Sequence, residues 1–287
     1  MASAPHPDPH PEGSPRVVAI VQARMGSSRL PGKVLKDIAG QPMLAWVVER
    51  ARQARRLDFV VVATTDQPED DAVAEFCAGR AWPCFRGSQF DVLDRYYQAA
   101  KHFSADVVVR LTADCPLIDP TVIDEVVGVL LERQLDFAAN RLPPPWKRTY
   151  PIGLDVEAVT IAALERAWRE ASRPYEREHV MPYLYDEPGR FRIAVIDAHG
   201  DYGAMRWTVD TPEDLAAVRK IFELFGGRRD FDWLEVLELV DHVPELGQLN
   251  MNVKPKAFDQ VDERFQHGHF DPPTVSEILD QEPPEDE

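Results

Sequence analysis

Residues 16–21, RVVAIV, run directly into residues 22–33, QARMGSSRLPGK. The first piece is short, apolar and β-branched, as expected of a strand buried on both faces of a parallel sheet. The second offers Gly26 and Gly32 for close backbone approach, Ser27 and Ser28 as hydroxyl donors, and Arg24, Arg29 and Lys33 as cations. Backbone amides in such a loop form an anion nest, and guanidinium groups grip phosphate bidentately. The spacing excludes two common phosphate loops. Five residues separate Gly26 from Gly32 and Val34 follows Lys33, so this is not the G-x-x-x-x-G-K-[ST] loop, and no G-x-G-x-x-G dinucleotide fingerprint is present. An ordinary basic surface loop is the plainer alternative, but three cations within ten residues are out of character for so acidic a chain.

Outward from this loop, helical and extended patterns alternate. Residues 42–54 carry helical apolar spacing, 59–63 (FVVVA) read as a second buried strand, and 69–77 as a helix. A short strand at 83–86, a helix at 91–103, a strand at 106–111 (DVVVRL) and a helix at 120–132 follow. This order predicts an α/β fold with a parallel sheet and right-handed crossovers, whose ligands sit beyond the carboxyl ends of the strands. From about residue 140 the pattern turns irregular and proline-rich. Strands are predicted at 153–159 and 191–196, and helices at 161–170, 176–185, 212–225 (capped by Thr211) and 232–241. Residues after Pro244 are left unassigned.

The chain has 287 residues, 44% of them hydrophobic, enough for one large domain plus an extension. Its formal charge of −17 argues against a nucleic-acid partner, which needs a broad basic face, but leaves room for a local cationic cleft. Cys77, Cys84 and Cys115 lack metal or disulfide spacing and suit a reducing compartment. No signal-peptide pattern opens the sequence and no apolar run spans a membrane, so a cytoplasmic protein with no membrane partner is expected. Residues 1–15 read as a disordered, proline-rich leader and residues 254–287 as an acidic, solvated tail.

The segment VVAIVQARMGSSRLPGKVLKDIAGQPML resembles the opening signature of the cytidylyltransferases that activate Kdo and sialic acids with CTP. It resembles in particular the branch called spore coat polysaccharide biosynthesis protein F. The resemblance continues through VVATTDQPEDDAV, RGSQFDVLDRYYQAAKHFSADVVVRLTADCPLIDP, YPIGLDVEAV, EREHVMPYLY and RWTVDTPEDL, over roughly residues 17–225. It implies a Rossmann-like three-layer sandwich of the nucleotide-diphospho-sugar transferase type. A small protruding acceptor and dimerisation subdomain is expected at about 141–192, a helical extension at 226–253, and a homodimer. The implied reaction is transfer of CMP from CTP to a sugar acid or similar acidic acceptor, with pyrophosphate released, in surface polysaccharide or glycoconjugate biosynthesis.

A triphosphate substrate calls for Mg2+, which takes one or two protein carboxylates alongside phosphates and water. Asp114 follows the strand at 106–111, and Asp210 precedes the Thr211 cap; the resemblance assigns both to the metal. Each has a plainer role open to it, Asp114 in a turn before Pro116 and Asp210 at a helix N-terminus. The expected nucleotide contacts are Gln22, Ala23, Arg24, Gly26, Ser27, Arg29, Lys33, Thr64, Asp66 and Arg86, with Arg24, Lys33, Asp114 and Asp210 as the catalytic set. Asp155 and Glu157, two apart on an expected strand, share one face and suit the acceptor or a second metal, or only an exposed polar face. His179 is a further acceptor candidate, with an ordinary structural role as the alternative. Arg110 either faces the cleft or pairs with a carboxylate. Two other functions stay open at this point. One is a glycosyltransferase using a nucleotide-sugar, although Thr112-Ala113-Asp114 lacks the Asp-x-Asp metal motif; the other is a non-catalytic nucleotide-binding scaffold.

Overall fold

The computed structural model describes residues 13–144 and 146–254. Strand β1 (Val17–Gln22) is flanked by β4 (Phe59–Thr65) and β6 (Val107–Thr112), both parallel to it. Residues 18–21 of β1 are wholly buried, which explains their uninterrupted apolar character. The register sets Gln22 level with Ala63 and Thr112, so the chain leaves all three strands at one edge of the sheet. The seven-stranded order is β5-β4-β1-β6-β8-β7-β9, completed by β5 (Cys84–Gly87), β7 (Phe137–Ala139), β8 (Glu157–Thr160) and β9 (Ile193–Val195). Only β8 runs antiparallel to its neighbours β6 and β7. Strands β2 (Asp37–Ile38) and β3 (Gln41–Pro42) make a small separate ribbon.

Alternating side chains split β1 between two cores. Val17, Ala19 and Val21 face α1 (Met43–Ala51), α2 (Asp71–Gly79), α4 (Pro120–Glu132) and α8 (Pro212–Leu224). Val18 and Ile20 face α3 (Val92–His102) and α5 (Ile161–Glu170). The result is the expected three-layer α/β sandwich. Arg177, fully buried under α3, donates Nε to both carboxylate oxygens of Asp91 at 3.0 Å, and Asp91 also caps α3.

Several boundaries differ from expectation. The strand predicted at 153–159 begins only at Glu157, because Gly153 adopts φ +111° in a tight approach to residues 207 and 208, where Ile152 bridges to Arg206. The single helix expected at 176–185 is two, α6 (Pro174–His179) and α7 (Pro182–Tyr185), broken where Val180 takes φ 73° ahead of Pro182. Segment 141–192 contributes β8 to the central sheet and α5 to its second core. Residues 233–248 form α9 (Trp233–His242) and α10 (Glu245–Gln248). The leader through residue 12 and the tail from residue 255 lie outside the described residues. Among the described residues, no helix is long and apolar enough to cross a membrane, and the three cysteines are free.

A Cβ at Gly153 would stand 2.6 Å from the Thr208 nitrogen, in a backbone conformation that side chains rarely adopt. Gly153→Ala is therefore expected to lower unfolding stability by about 2 kcal/mol or more. Urea denaturation measures this, and an unchanged midpoint would show that the 207–208 backbone yields freely.

Candidate active site

The loop after β1 is folded by its own backbone. Ala23 donates to Ala63 O at 3.0 Å, and Ala113 donates to Gln22 O at 3.0 Å, tying the strand exits together. The Met25 N–H donates to Asp70 Oδ1 at 2.6 Å, and the hydroxyl of Thr65 holds the other oxygen of this fully buried carboxylate. Met25 O in turn accepts from Ser27 N at 2.9 Å and Gly32 N at 3.0 Å. Gly32, left-handed at φ 67°, starts the 3-10 turn Lys33–Leu35 and sends Lys33 inward.

The Lys33 ammonium has three partners: Asp114 Oδ2 at 2.7 Å, Asp210 Oδ1 at 2.9 Å and Val209 O at 2.9 Å. Three donors thus meet three acceptors. Burial works against the ammonium, but Asp114 and Asp210 outweigh it and raise its pKa above the ordinary lysine value. Burial likewise opposes the charge on Asp210, yet Lys33, with Arg206 and Arg29, holds its carboxyl down at about 2. The second oxygen of Asp210 accepts from Arg206 at 2.7 Å and pairs with Arg29 at 2.9 Å. Segment 208–209 is itself fastened to Asp114, whose carbonyl accepts from Val209 N at 2.8 Å and the Thr208 hydroxyl at 3.2 Å.

These groups open on a cleft of about 950 Å³ at the carboxyl ends of β1 and β6. Eight cations line it (Arg24, Arg29, Lys33, Arg95, Arg110, Arg141, Arg148 and Arg206) against four carboxylates (Asp114, Asp155, Glu157 and Asp210). A protein of net charge −17 therefore encloses a cleft of net positive charge, which focuses an attractive field on an anionic ligand. At the end away from the loop, Arg110 pairs with Glu157 at 2.5 Å. Asp155 accepts from the two terminal guanidinium nitrogens of Arg148 and from Arg141 at 3.4 Å. Burial opposes its charge as well, but the two arginines keep its pKa below the usual carboxylate range.

Of the residues singled out from sequence, Gln22, Ala23, Arg24, Gly26, Ser27, Arg29, Lys33, Asp114, Asp155, Glu157 and Asp210 line the cleft. His179 lines a smaller adjoining cavity. Three nucleotide candidates line neither cavity. Thr64 is fully buried within the sheet, and Asp66 is exposed and bound to the Gln67 amide. The Arg86 guanidinium is committed to Thr65 O at 2.9 Å, Gln67 O at 3.0 Å and Asp71 at 2.6 Å. Arg110 both faces the cleft and pairs with a carboxylate. Arg95, Arg141, Arg148 and Arg206 were not foreseen. Only Arg206 carried a usable signal, its place at the head of the RWTVDTPEDL stretch.

The C-terminal extension reaches this site. Asn250, nearly buried, donates to Asp214 Oδ1 at 2.9 Å and to Arg206 O at 3.0 Å. Asp214 is fully buried and binds Arg206 Nε at 2.8 Å. Asn250, Asp214, Arg206 and Asp210 thus form one continuous chain of contacts. Arg29 NH1 also reaches Lys254 O at 3.4 Å.

As a donor set for a cation, the described residues hold no cluster of three or more His, Cys, Asp or Glu side chains. Asp114 and Asp210 nonetheless share one ammonium and are about one-quarter exposed, at 25% and 23%. Two carboxylates suit a hard divalent ion that takes its other oxygens from substrate phosphates and water.

A mainly parallel sheet with a cation-lined cleft at its carboxyl edge is the architecture of Rossmann-like nucleotidyltransferases. Residues 18–258 match the family profile described as cytidylyltransferase. Spore coat polysaccharide biosynthesis protein SpsF of Bacillus subtilis is 30% identical, over 80% of this chain and 95% of its own. A 3-deoxy-manno-octulosonate cytidylyltransferase of an Anaeromyxobacter strain is 33% identical, over 75% of this chain and 99% of its own. The solved structure of a cytidylyltransferase from Leptospira borgpetersenii superposes with a TM-score of 0.77 at 33% identity, covering 82% of this chain and 98% of that one. The chain belongs to the cytidylyltransferase family, and is a nucleotidyltransferase.

The contact chain makes Asn250 a positioning residue for Asp210. Asn250→Ala is expected to lower kcat for nucleotidyl transfer by about tenfold, as one lost buried hydrogen-bond anchor can, with the nucleotide KM little changed. Steady-state kinetics separates the two constants, and a wild-type kcat would show that Asp210 is held without the extension.

Proposed function

We propose that this protein transfers CMP from CTP to a sugar acid and releases pyrophosphate, with Mg2+ arriving alongside the nucleotide, to make a precursor of a surface polysaccharide or related glycoconjugate. The observation that carries this reading is the bridge from Lys33 to both Asp114 and Asp210, set beside the folded cationic loop. The names of the SpsF and 3-deoxy-manno-octulosonate relatives support the acceptor class.

In this mechanism an acceptor hydroxyl attacks the α-phosphorus of CTP in line with the departing pyrophosphate. Arg24 and Arg29, with Ser28 beside them, hold the β- and γ-phosphates and stabilise charge growing on the leaving group. Donors fixed in place before reaction cost no reorganisation when that charge develops, and such preorganisation is usually the largest catalytic contribution. Lys33 stands between Asp114 and Asp210 and donates to both. These two carboxylates would hold the metal, which supplies Lewis-acid stabilisation of phosphoryl oxygen. Arg110, Arg141 and Arg148, restrained by Glu157 and Asp155, form the end of the cleft that receives the acceptor.

The test is pyrophosphate release with each of the four nucleoside triphosphates against a panel of sugar acids. Release should require CTP, a sugar acid and a divalent cation, and should stop on chelation. Lys33→Ala and Asp210→Asn are each expected to cut turnover by about a hundredfold or more, the scale of losing one preorganised charge-stabilising group. Wild-type turnover in both variants, or release with another triphosphate in place of CTP, would overturn the assignment.

A further inference from the structure

Asp70 ends the short helical turn between β4 and α2, is fully buried, and is not among the residues that line the cleft. Its two oxygens each accept from a different segment. Oδ1 takes the Met25 N–H at 2.6 Å, and Oδ2 takes the hydroxyl of Thr65, the last residue of β4. Forty-five residues separate Asp70 from Met25, so this bond is tertiary and not part of the loop's own folding. Met25 is also where the loop closes on itself. Its carbonyl accepts from both Ser27 N and Gly32 N, which gathers residues 25–32 onto one peptide oxygen. Whatever fixes the Met25 peptide therefore fixes that closed turn. Arg24 enters it, Arg29 lies within it, and both line the cleft.

The turn that carries Asp70 is itself clamped. The Asp70 N–H donates to Gln67 O at 3.0 Å. Arg86, on the neighbouring strand β5, donates Nε to Thr65 O at 2.9 Å and NH2 to Gln67 O at 3.0 Å. Its NH1 pairs with Asp71 at 2.6 Å. Two strands and the start of α2 thus converge on one carboxylate that touches no part of the cleft. A ligand-gripping loop holds its geometry only as well as the groups behind it are held. The Met25 N–H has no water to fall back on if its acceptor goes, and an amide left in that state is costly.

Resting on the reading of this loop as the grip on the nucleotide's outer phosphates, we propose that Asp70 is a positioning residue for the β- and γ-phosphates. It holds the Met25 peptide and through it sets where Arg24 and Arg29 stand. Arg86 extends the same support one contact further out, which gives it a part in nucleotide binding without touching the nucleotide.

CTP and CMP differ only in the two phosphates that the loop holds, so calorimetric titration of the full-length protein with each, in Mg2+, isolates the effect. Asp70→Ala should weaken CTP about tenfold, the scale of one lost buried hydrogen-bond anchor, and leave CMP binding unchanged. Thr65→Val, which removes one of the two bonds, should weaken CTP in the same sense by less, and decides the matter if Asp70→Ala fails to fold. Asp70→Asn should recover the affinity, because its amide accepts from Met25 N–H and donates to the Thr65 oxygen. Hydrogen exchange of the unliganded protein supplies a second readout. In Asp70→Ala the amides of residues 25–32 should exchange faster, while those of β1 and β4 keep their wild-type rates. Equal weakening of CTP and CMP, or exchange that rises as much in β1 and β4, would make Asp70 a general support of the fold and overturn the proposal. Wild-type CTP affinity in Asp70→Ala, or an Asp70→Asn as weak as Asp70→Ala, overturns it too. Inorganic tripolyphosphate, which has no base, separates this proposal from the reading it rests on. Wild-type protein that binds tripolyphosphate but not CTP, with Asp70→Ala weaker for tripolyphosphate, removes the cytidylyl reading and leaves the role of Asp70. CTP turnover with affinity indifferent to Asp70→Ala removes that role alone.

Discussion

A single ammonium shared by two carboxylates organises this molecule. Lys33 belongs to the loop after β1, Asp114 to the exit of β6, and Asp210 to a segment almost a hundred residues further along. Removing any one of the three would leave a largely buried charge without its partner, which is strongly destabilising. The site can close only when all three segments have arrived. Gly32 turns Lys33 inward, Gly153 lets the chain pack against the 207–208 backbone, and Asp114 O fastens Val209 N.

The charge distribution follows from the same requirement. A chain of net charge −17 repels a triphosphate at long range, but at physiological ionic strength that repulsion fades within about 8 Å. Inside the cleft the eight cations dominate at contact distance. The surface can therefore stay acidic and soluble while the cleft stays attractive. The carboxylates within it restrain the arginines they face: Asp155 fixes Arg148 and Arg141, and Glu157 fixes Arg110. Long side chains already pinned lose less freedom when a ligand arrives.

What sequence revealed was whatever is local in sequence. The loop after β1 is consecutive, so its cationic character could be read without a fold. Asp114 and Asp210 each stand next to a strong local signal, a buried strand and a Thr211 cap with its capping box. The sandwich itself followed from the alternation of strand and helix patterns. Arg95, Arg141 and Arg148 escaped because they lie on α3 and in irregular chain, and only the fold brings them to one cavity. Arg86 stands at a strand end, as read from sequence, and its guanidinium is engaged by Asp71 and two carbonyls. Strand β7, three residues long, was too short to show a period, and the break at Val180 needs a backbone angle that no residue type there announces.

The link from Asn250 to Asp210 also sets a schedule. Every residue lining the cleft lies at or before residue 210. The strut that steadies Arg206 and Asp214 comes 40 residues later, roughly two to eight seconds at ordinary rates of translation. In that interval Arg206 and Asp214 lack their contact from behind, so the last described turn of the chain completes the support of Asp210.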